Sequence, residues 1–548
     1  MNVATAILEL LASQDVDVAF GLPGVHVLPF WSSEATTRIV GVRHEQAAAY
    51  AADGYARATG RLGVAISTTG PGAVNSLAAF GEAAVSGSPI LVIASDVATT
   101  LRSPEGPRGI LHEMADQALP FAAFDCPAVT ARSGAEALEY VAAALADSTR
   151  SPHRPAYLGV PSDILGAQWE GSLPAVPALP DPAAPDPDDV DALTALIGAA
   201  RSTVIWAGGG VVQRGPGGED ALRRLAERLG APVVTTYAGR GLLAGHPLSV
   251  EASVHEPEVG ALIAGADLLL VIGSGFDAMN TKNWKMPLPA RRAAIGLGEE
   301  LPRTVAWDVL LQADLVEALA TLGASLDRGG HPRPTAPPEA LTLSRDIRSR
   351  VARDPLTREA VAVVEAIESW PADGVIVTDM CIPGYWTSSH AVHPRTRRLL
   401  NPVGWGTLGF ALPAAIGPAA AGIATLAVCG DGGPMFALGE LATYVQEKLP
   451  ITLLVVDDGG YGMLRFDQRV FGHAERGVDL VTPDWELLAR AFGIPFEEAK
   501  GADALAEALA AGARRPGPSL VLLRAELYPP ASSSPRWFED ATGPRETA

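Results

Sequence analysis

Two carboxylates set 27 residues apart, Asp431 and Asp458, carry the strongest chemical signal in this chain. Asp431 lies in the turn Gly430-Asp431-Gly432-Gly433, and Asp458 lies in Asp457-Asp458-Gly459-Gly460-Tyr461-Gly462. Each turn closes an apolar run, residues 423–429 before the first and 451–456 before the second. Between them, residues 436–448 read as one helix, stopped by Leu449-Pro450. Strand, glycine turn, helix and strand make a parallel βαβ unit. Such a unit delivers both carboxylates to the carboxyl ends of neighbouring strands, where open α/β sheets bind ligands. Hard oxygen donors beside glycine-rich backbone at a helix N-terminus suit Mg²⁺ or Ca²⁺ holding a diphosphate.

A second group of residues lies near the N-terminus. Gly21-Leu22-Pro23-Gly24 ends an apolar strand, and Arg43-His44-Glu45 opens an alanine-rich helix whose C′ cap is Gly60. Glu45 stands in the first turn, where the helix dipole favours a carboxylate. Ala47, Ala51 and Gly54 give the helix a face that can approach another backbone closely. Thr68-Thr69-Gly70-Pro71-Gly72 follows another strand and precedes a helix beginning near Ala73. Taken alone, Glu45 is a capping residue and the second turn an ordinary βα loop.

These residues need a large scaffold, and the bulk properties supply one. At 548 residues, three domains are the natural division. A composition of 48% hydrophobic and 19% charged residues is that of a globular chain, and no 18-residue apolar stretch is free of charge. The first residues lack a basic segment before an apolar run, so neither export nor membrane insertion is expected; the expected location is cytoplasmic. Cys126, Cys381 and Cys429 show no metal-binding spacing and are expected as reduced thiols. A formal net charge of −21 argues against nucleic acid and acidic membranes as partners.

Proline-rich stretches at 173–189 and 327–339 divide the chain into 1–172, 190–326 and 340–548. Each part alternates short apolar strands with Ala/Leu-rich helices. Residues 16–20, 62–66 and 90–94 read as strands of the first part, 203–207 and 268–272 of the second, and 374–378 of the third. The expected fold is α/β, with three doubly wound domains and mainly parallel sheets. Gly208-Gly-Gly210 after a middle-domain strand is a weak dinucleotide-type signal.

Taken in order, GLPG at 21–24, RHEQAAAYAADGYAR at 43–57, TTGPG at 68–72, WGTLGFALPAAIG at 405–417, GDGG at 430–433 and DDGGYG at 457–462 resemble the thiamine-diphosphate (ThDP) enzymes. The resemblance is to the acetohydroxyacid synthase and 2-oxo acid decarboxylase superfamily, and it spans essentially the whole chain. It implies that the three parts are a pyrimidine-binding (PYR) domain, a Rossmann-like middle domain and a diphosphate-binding (PP) domain. It also implies that Glu45 hydrogen-bonds the aminopyrimidine N1′, so that the 4′-nitrogen removes the C2 proton. Leu408 would bend the cofactor into a V, and the Gly406 carbonyl would accept from the 4′-amino group. Asp431, Asp458 and the Gly460 carbonyl would hold Mg²⁺, with the amides of Gly432 and Gly433 toward the diphosphate. Pro23, Gly24, Tyr461, Gly462 and Met463 would complete the cofactor site. The family pairs the PYR domain of one subunit with the PP domain of another, implying a homodimer or a tetramer.

Several positions depart from the family pattern. Asp457-Asp458 stands where Asn-Asn is usual, which keeps a hard donor and adds charge. Val25 and His112-Glu113 replace the acidic residue and the His-His pair of pyruvate-type decarboxylases. Residues 462–467 (GMLRFD) replace a tryptophan-bearing segment of housekeeping synthases. Residues 273–279 (GSGFDAM) lack the arginine of the flavin-binding segment, which argues against FAD. The signatures GLPGVH and LHExxDQ look most like a decarboxylase branch that includes guanidino-oxo-acid decarboxylases. His112 is the candidate general acid. Val25, His26, Gln117 and Leu464 are candidate substrate contacts, and Arg465 reads as a solvated side chain, with pairing to a substrate carboxylate as the alternative.

The resemblance therefore implies decarboxylation of a small 2-oxo acid to an enamine, with ThDP and Mg²⁺ as cofactors. On overall likeness the enamine is passed to a carbonyl acceptor, as in acetolactate synthase. Release of an aldehyde is the close alternative, and a flavin-assisted, pyruvate-oxidase-like enzyme is a further one. A catalytically silent paralogue would have no physical reason to keep Glu45, Leu408, Asp431 and Asp458 together.

Overall fold

A computed structural model describes residues 1–180, 184–298, 301–302, 304–329, 340–402 and 404–533. They form three sheets, each of six parallel strands, with helices between. The first sheet comprises β1 (Val18–Gly21), β2 (Arg38–Gly41), β3 (Gly63–Ser67), β4 (Ile90–Asp96), β5 (Ala128–Thr130) and β6 (Ala156–Pro161). Their order is β2-β1-β3-β4-β6-β5.

The middle sheet contains β7 (Thr203–Ala207), β8 (Val233–Thr235), β9 (Ser249–Val250), β10 (Leu268–Ile272), β11 (Arg291–Gly296) and β12 (Val309–Gln312), ordered β12-β11-β10-β7-β8-β9. Read from its other edge this is the Rossmann order, and Gly208-Gly-Gly210 follows β7 at the point where the order reverses. The third sheet has β13 (Val375–Thr378), β14 (Leu399–Leu400), β15 (Thr425–Gly430), β16 (Ile451–Asp457), β17 (Phe496–Ala499) and β18 (Ser519–Arg524), ordered β14-β13-β15-β16-β18-β17. First and third sheets thus share one topology. The expected three-domain α/β architecture is present.

The first and third domains share a hydrophobic core, whereas the middle domain has cores largely its own. The seam is built on the helix Glu45–Thr59, buried along nearly all its length. A Cβ on Gly54 would lie 2.0 Å from the Ala414 carbonyl, and one on Gly417 would lie 2.2 Å from the Ala51 carbonyl. The small-residue face predicted for this helix is therefore used for backbone contact with the third domain. Burial of Phe410 and Ile416 at this seam contributes about 1.5–3 kcal/mol each. Gly60 caps the helix in the left-handed region at φ +75°.

Three local expectations need correction. Residues 436–448 do not form one helix: a 3₁₀ turn, Pro434–Phe436, precedes a helix Glu440–Gln446. Gly439 separates them, and buried Glu440 turns back to accept from the Arg43 amide at 2.9 Å. The first linker ends earlier than its composition suggests, because Pro187 opens the helix Pro187–Gly198 behind an Asp186 N-cap. In the second, Asp327 is still helical and accepts from Arg228 Nε at 2.7 Å. Positions 181–183 and 330–339 of these linkers, and 534–548 of the third part, lie outside the described residues. Among the described residues no helix is long and apolar enough to cross a membrane.

Candidate active site

In the third sheet the strand order reverses between β13 and β15, and a cavity of about 250 Å³ opens at their carboxyl ends. Asp431, one residue beyond β15, and Asp458, one beyond β16, both line it. Neither Asp431 oxygen has a hydrogen-bond partner, nor does Oδ1 of Asp458, and Asp431 is only 1% exposed. Burial raises the Asp431 carboxyl to about 7, helped by the negative charges of Asp458 and Asp457. Burial likewise raises Asp458 to about 6, against the opposing field of Arg465. A buried carboxylate without partners beside a second, half-buried one at the adjacent strand tip is costly without a cation. Two carboxylates and a carbonyl suit Mg²⁺, whose remaining positions go to phosphate and water.

The neighbouring glycines are sterically required. A Cβ on Gly462 would lie 1.9 Å from Asp458 Oδ2, and one on Gly460 would lie 2.0 Å from the Val478 carbonyl. Asp457, by contrast, turns away from the cavity. It accepts from Trp485 Nε1 at 3.0 Å and from an Arg524 guanidinium nitrogen at 3.0 Å, which offsets its charge. Arg465 is not solvated as expected. It is 8% exposed, bonds Asp479 and the Asp458 carbonyl, and lies beneath the metal-type loop.

Leu408, Gly432, Gly433, Tyr461, Met463 and Leu464 also line this cavity. Leu408 is 37% exposed at the tip of a turn between Gly406 (φ +73°) and Gly409 (φ +77°). Sequence reasoning missed Asp379, at the tip of β13. Its carboxylate accepts from the amides of Met380, Gly409 and Ala411, joining the cavity wall to the Leu408 turn. The signal was available: Asp379 ends an apolar strand just as Asp431 does.

The first sheet reverses order between β1 and β3, and that point gathers the other candidates. A Cβ on Gly24 would lie 2.7 Å from the Thr68 Cβ, so the Pro23-Gly24 turn rests on the Thr68–Gly72 turn. Glu45 lies beneath the latter, with Oε2 accepting from Asn75 Nδ2 at 3.0 Å; Asn75 is a second missed residue. His112, itself at φ +67°, backs onto Gly70 and meets the His26 ring edge-on at 5.9 Å. The Nδ1 of His112 is buried without a partner. Val25 is exposed beside them.

Gln117 is placed differently from a substrate contact. It is fully buried, accepts from Thr69 Oγ1 and the Gly70 amide, and donates to Ser95 and Tyr157. With every polar atom engaged, it is a latch under the Thr68–Gly72 turn.

Within one chain, Glu45 and the two histidines do not line the cavity that holds Asp431 and Leu408. A larger cavity, about 360 Å³, lies where the three domains meet and borders Gly209, Gly210, His153 and Arg397. Of the two, the smaller cavity is the one lined by Asp431 and Asp458.

Comparison with known proteins matches all three parts of the chain. Residues 1–119 match the thiamine pyrophosphate enzyme N-terminal TPP binding domain, 190–340 the central domain and 381–523 the C-terminal TPP binding domain. The chain is 34% identical over 546 residues to a probable 2-ketoarginine decarboxylase, AruI, of Pseudomonas aeruginosa, covering 96% of this chain and 94% of that protein. It is 30% identical to an acetolactate synthase large subunit of Parasynechococcus marenigrum, over 94% of this chain and 86% of that one. Identity to the acetolactate synthase isozyme 1 large subunit of Escherichia coli is 27%, over 96% and 95% of the two chains. With matching domains in all three parts and a near full-length relative, this chain belongs to the thiamine pyrophosphate enzyme family.

Proposed function

We propose that the chain is a ThDP- and Mg²⁺-dependent decarboxylase of a 2-oxo acid, working as a homodimer or a larger assembly. The observation that supports this most is the pair Asp431 and Asp458, with three carboxylate oxygens buried without partners, beside glycine backbone at the third sheet's tip. Asp431, Asp458 and the Gly460 carbonyl would hold Mg²⁺, and the amides of Gly432 and Gly433 would face the diphosphate. When bound, ThDP supplies the electron sink that lets CO₂ leave the 2-oxo acid.

The chain's own residues do the rest. Glu45, oriented by Asn75, holds the proton exchanged at the pyrimidine N1′. Leu408 would present an apolar surface for the bound cofactor to pack against. Met463 and Leu464 line the substrate side and exclude water. His112, with His26 at its edge, would supply the proton that the carbon takes up where CO₂ has left, the net proton that an aldehyde product requires. Because Glu45 does not line its own chain's cavity, a second copy would complete each site.

The His26–His112 pair favours aldehyde release over carboligation, reversing the order that overall likeness suggests. Carboligation stays as the second reading, on the likeness to proteins named acetolactate synthase. A flavin-assisted reaction has the larger cavity where the three domains meet in its favour but no arginine in residues 273–279. The first relative's name makes a guanidino 2-oxo acid the leading candidate substrate. The test is a panel of 2-oxo acids, including 5-guanidino-2-oxopentanoate and pyruvate, with purified protein, ThDP and Mg²⁺. CO₂ release with an aldehyde product is the expected result. An acyloin product would favour the second reading, and no CO₂ from any member would reject both.

A further inference from the structure

Leu408 stands between two neighbours, each tied to a buried carboxylate from a different domain. On one side the Thr407 hydroxyl donates to Glu82 Oε2 of the first domain at 3.2 Å. On the other the Gly409 amide donates to Asp379 Oδ1 of the third domain at 3.0 Å, and the Ala411 amide donates to Oδ2 at 3.2 Å. Glu82 is fully buried and Asp379 is 2% exposed.

Both carboxylates are themselves firmly held. Glu82 accepts from Arg57 at 3.3 Å and from Ser86 Oγ at 2.8 Å. Arg57 in turn makes a two-pronged pair with Asp53 and lies 5.2 Å from the centre of the Phe410 ring. Asp379 abuts the diphosphate-type turn, since a Cβ on Gly433 would lie 3.0 Å from its Oδ2. Dry carboxylates are an expensive way to fasten a turn, because desolvation opposes their charge. Glu82 is raised above the ordinary carboxylate range by burial, and Asp379 is raised to about 6 for the same reason. A two-sided clamp on a turn with two left-handed glycines leaves the leucine at its tip little freedom.

We propose that Glu82 and Asp379 are positioning residues that together set how Leu408 projects into the cavity, Glu82 through the Thr407 hydroxyl and Asp379 through the Gly409 and Ala411 amides. The proposal rests on the reading above that the bound cofactor would pack against Leu408. Neither carboxylate touches substrate or cofactor on this account; each acts through the turn.

The test is a mutant cycle on the full-length protein with ThDP and Mg²⁺. Thr407→Val, Glu82→Gln and Asp379→Asn are made singly and with Leu408→Ala, and Thr407→Ser is the conservative control. Each single variant should lower kcat about tenfold while KM changes less than about twofold, and Thr407→Ser should keep the wild-type kcat. With Leu408 already removed, the same changes should cost less than about twofold more, because both act through one side chain. Equal losses with and without Leu408, or losses confined to KM, would overturn the proposal. Amide hydrogen exchange over residues 405–411, measured without cofactor, gives a reading independent of activity. Thr407→Val should speed it, and unchanged exchange would also overturn the clamp; this variant leaves Glu82 on Arg57 and Ser86 and so preserves the fold if the carboxylate variants do not. Should the wild type release no CO₂ from any 2-oxo acid, the proposed function fails while the exchange result still judges the clamp.

Discussion

Asp431 and Asp458 stand at the tips of hydrogen-bonded neighbouring strands, and three of their four carboxylate oxygens have no hydrogen-bond partner. Both carboxyls are raised, to about 7 and about 6. A raised carboxyl means that the folded protein holds protons its unfolded chain has already released. Apoprotein stability should therefore fall as pH rises from about 4 toward 7, because the unfolded state binds fewer protons there. Mg²⁺ needs both groups ionised, so its affinity should move the opposite way, weakening as pH drops through 7 to 6. Thermal melts of the apoprotein and Mg²⁺ titrations across this range check both signs; parallel rather than opposite trends would refute the linkage.

Asp431→Ala removes a ligand together with a buried charge. Cofactor affinity should fall by about a hundredfold or more, given that even supporting residues of metal sites cost 10–100-fold. The apoprotein, relieved of a dry carboxylate, should melt no lower than wild type at pH 7.5. Calorimetry and melting of the same preparation measure the two effects separately.

Glu45→Gln should leave ThDP and Mg²⁺ bound while CO₂ release from an accepted substrate drops about 10²–10⁴-fold, the usual worth of a general acid–base group. Steady-state kinetics beside a binding isotherm make the distinction. Full activity in this variant would remove Glu45 from the mechanism.

Mixing inactive Glu45→Gln and Asp431→Ala subunits tests whether one site draws on two chains. In a mixed dimer one site would pair an intact Glu45 with an intact Asp431, so random exchange should restore about a quarter of wild-type activity. After subunit exchange, complete silence would place both residues of each site in the same chain.

Gly54→Ala probes the seam between the first and third domains. Its new methyl group would meet the Ala414 carbonyl at 2.0 Å, and forced overpacking of this kind costs about 1–3 kcal/mol or more. A clear fall in Tm is expected; an unchanged Tm would mean that the seam relaxes freely.

Much of this architecture was legible because its central strands are fully buried and read as continuous apolar runs, as β4, β10 and β16 do. Short edge strands such as β9 and β14, each of two residues, carry no such pattern. Asp431, Asp458 and Glu45 stood out as candidates because each sits in a local motif. Asp379, Asn75 and the Glu82–Thr407 bond depend on tertiary approach: Glu82 and Thr407 are 325 residues apart in sequence. The role of Gln117 was misread for the same reason, since its four partners come from the Thr68–Gly72 turn and strands β4 and β6. Composition could not show that Asp186 and Pro187 start a helix inside a proline-rich linker, because cap and linker use the same residues.

The most direct test of the central claim is calorimetric titration of ThDP into the protein in Mg²⁺ at pH 7.5, beside the Asp431→Ala variant. The account predicts saturable heat with one ThDP per chain in the wild type and none in the variant at the same concentrations. Absence of heat in the wild type, or equal binding by both proteins, would contradict it.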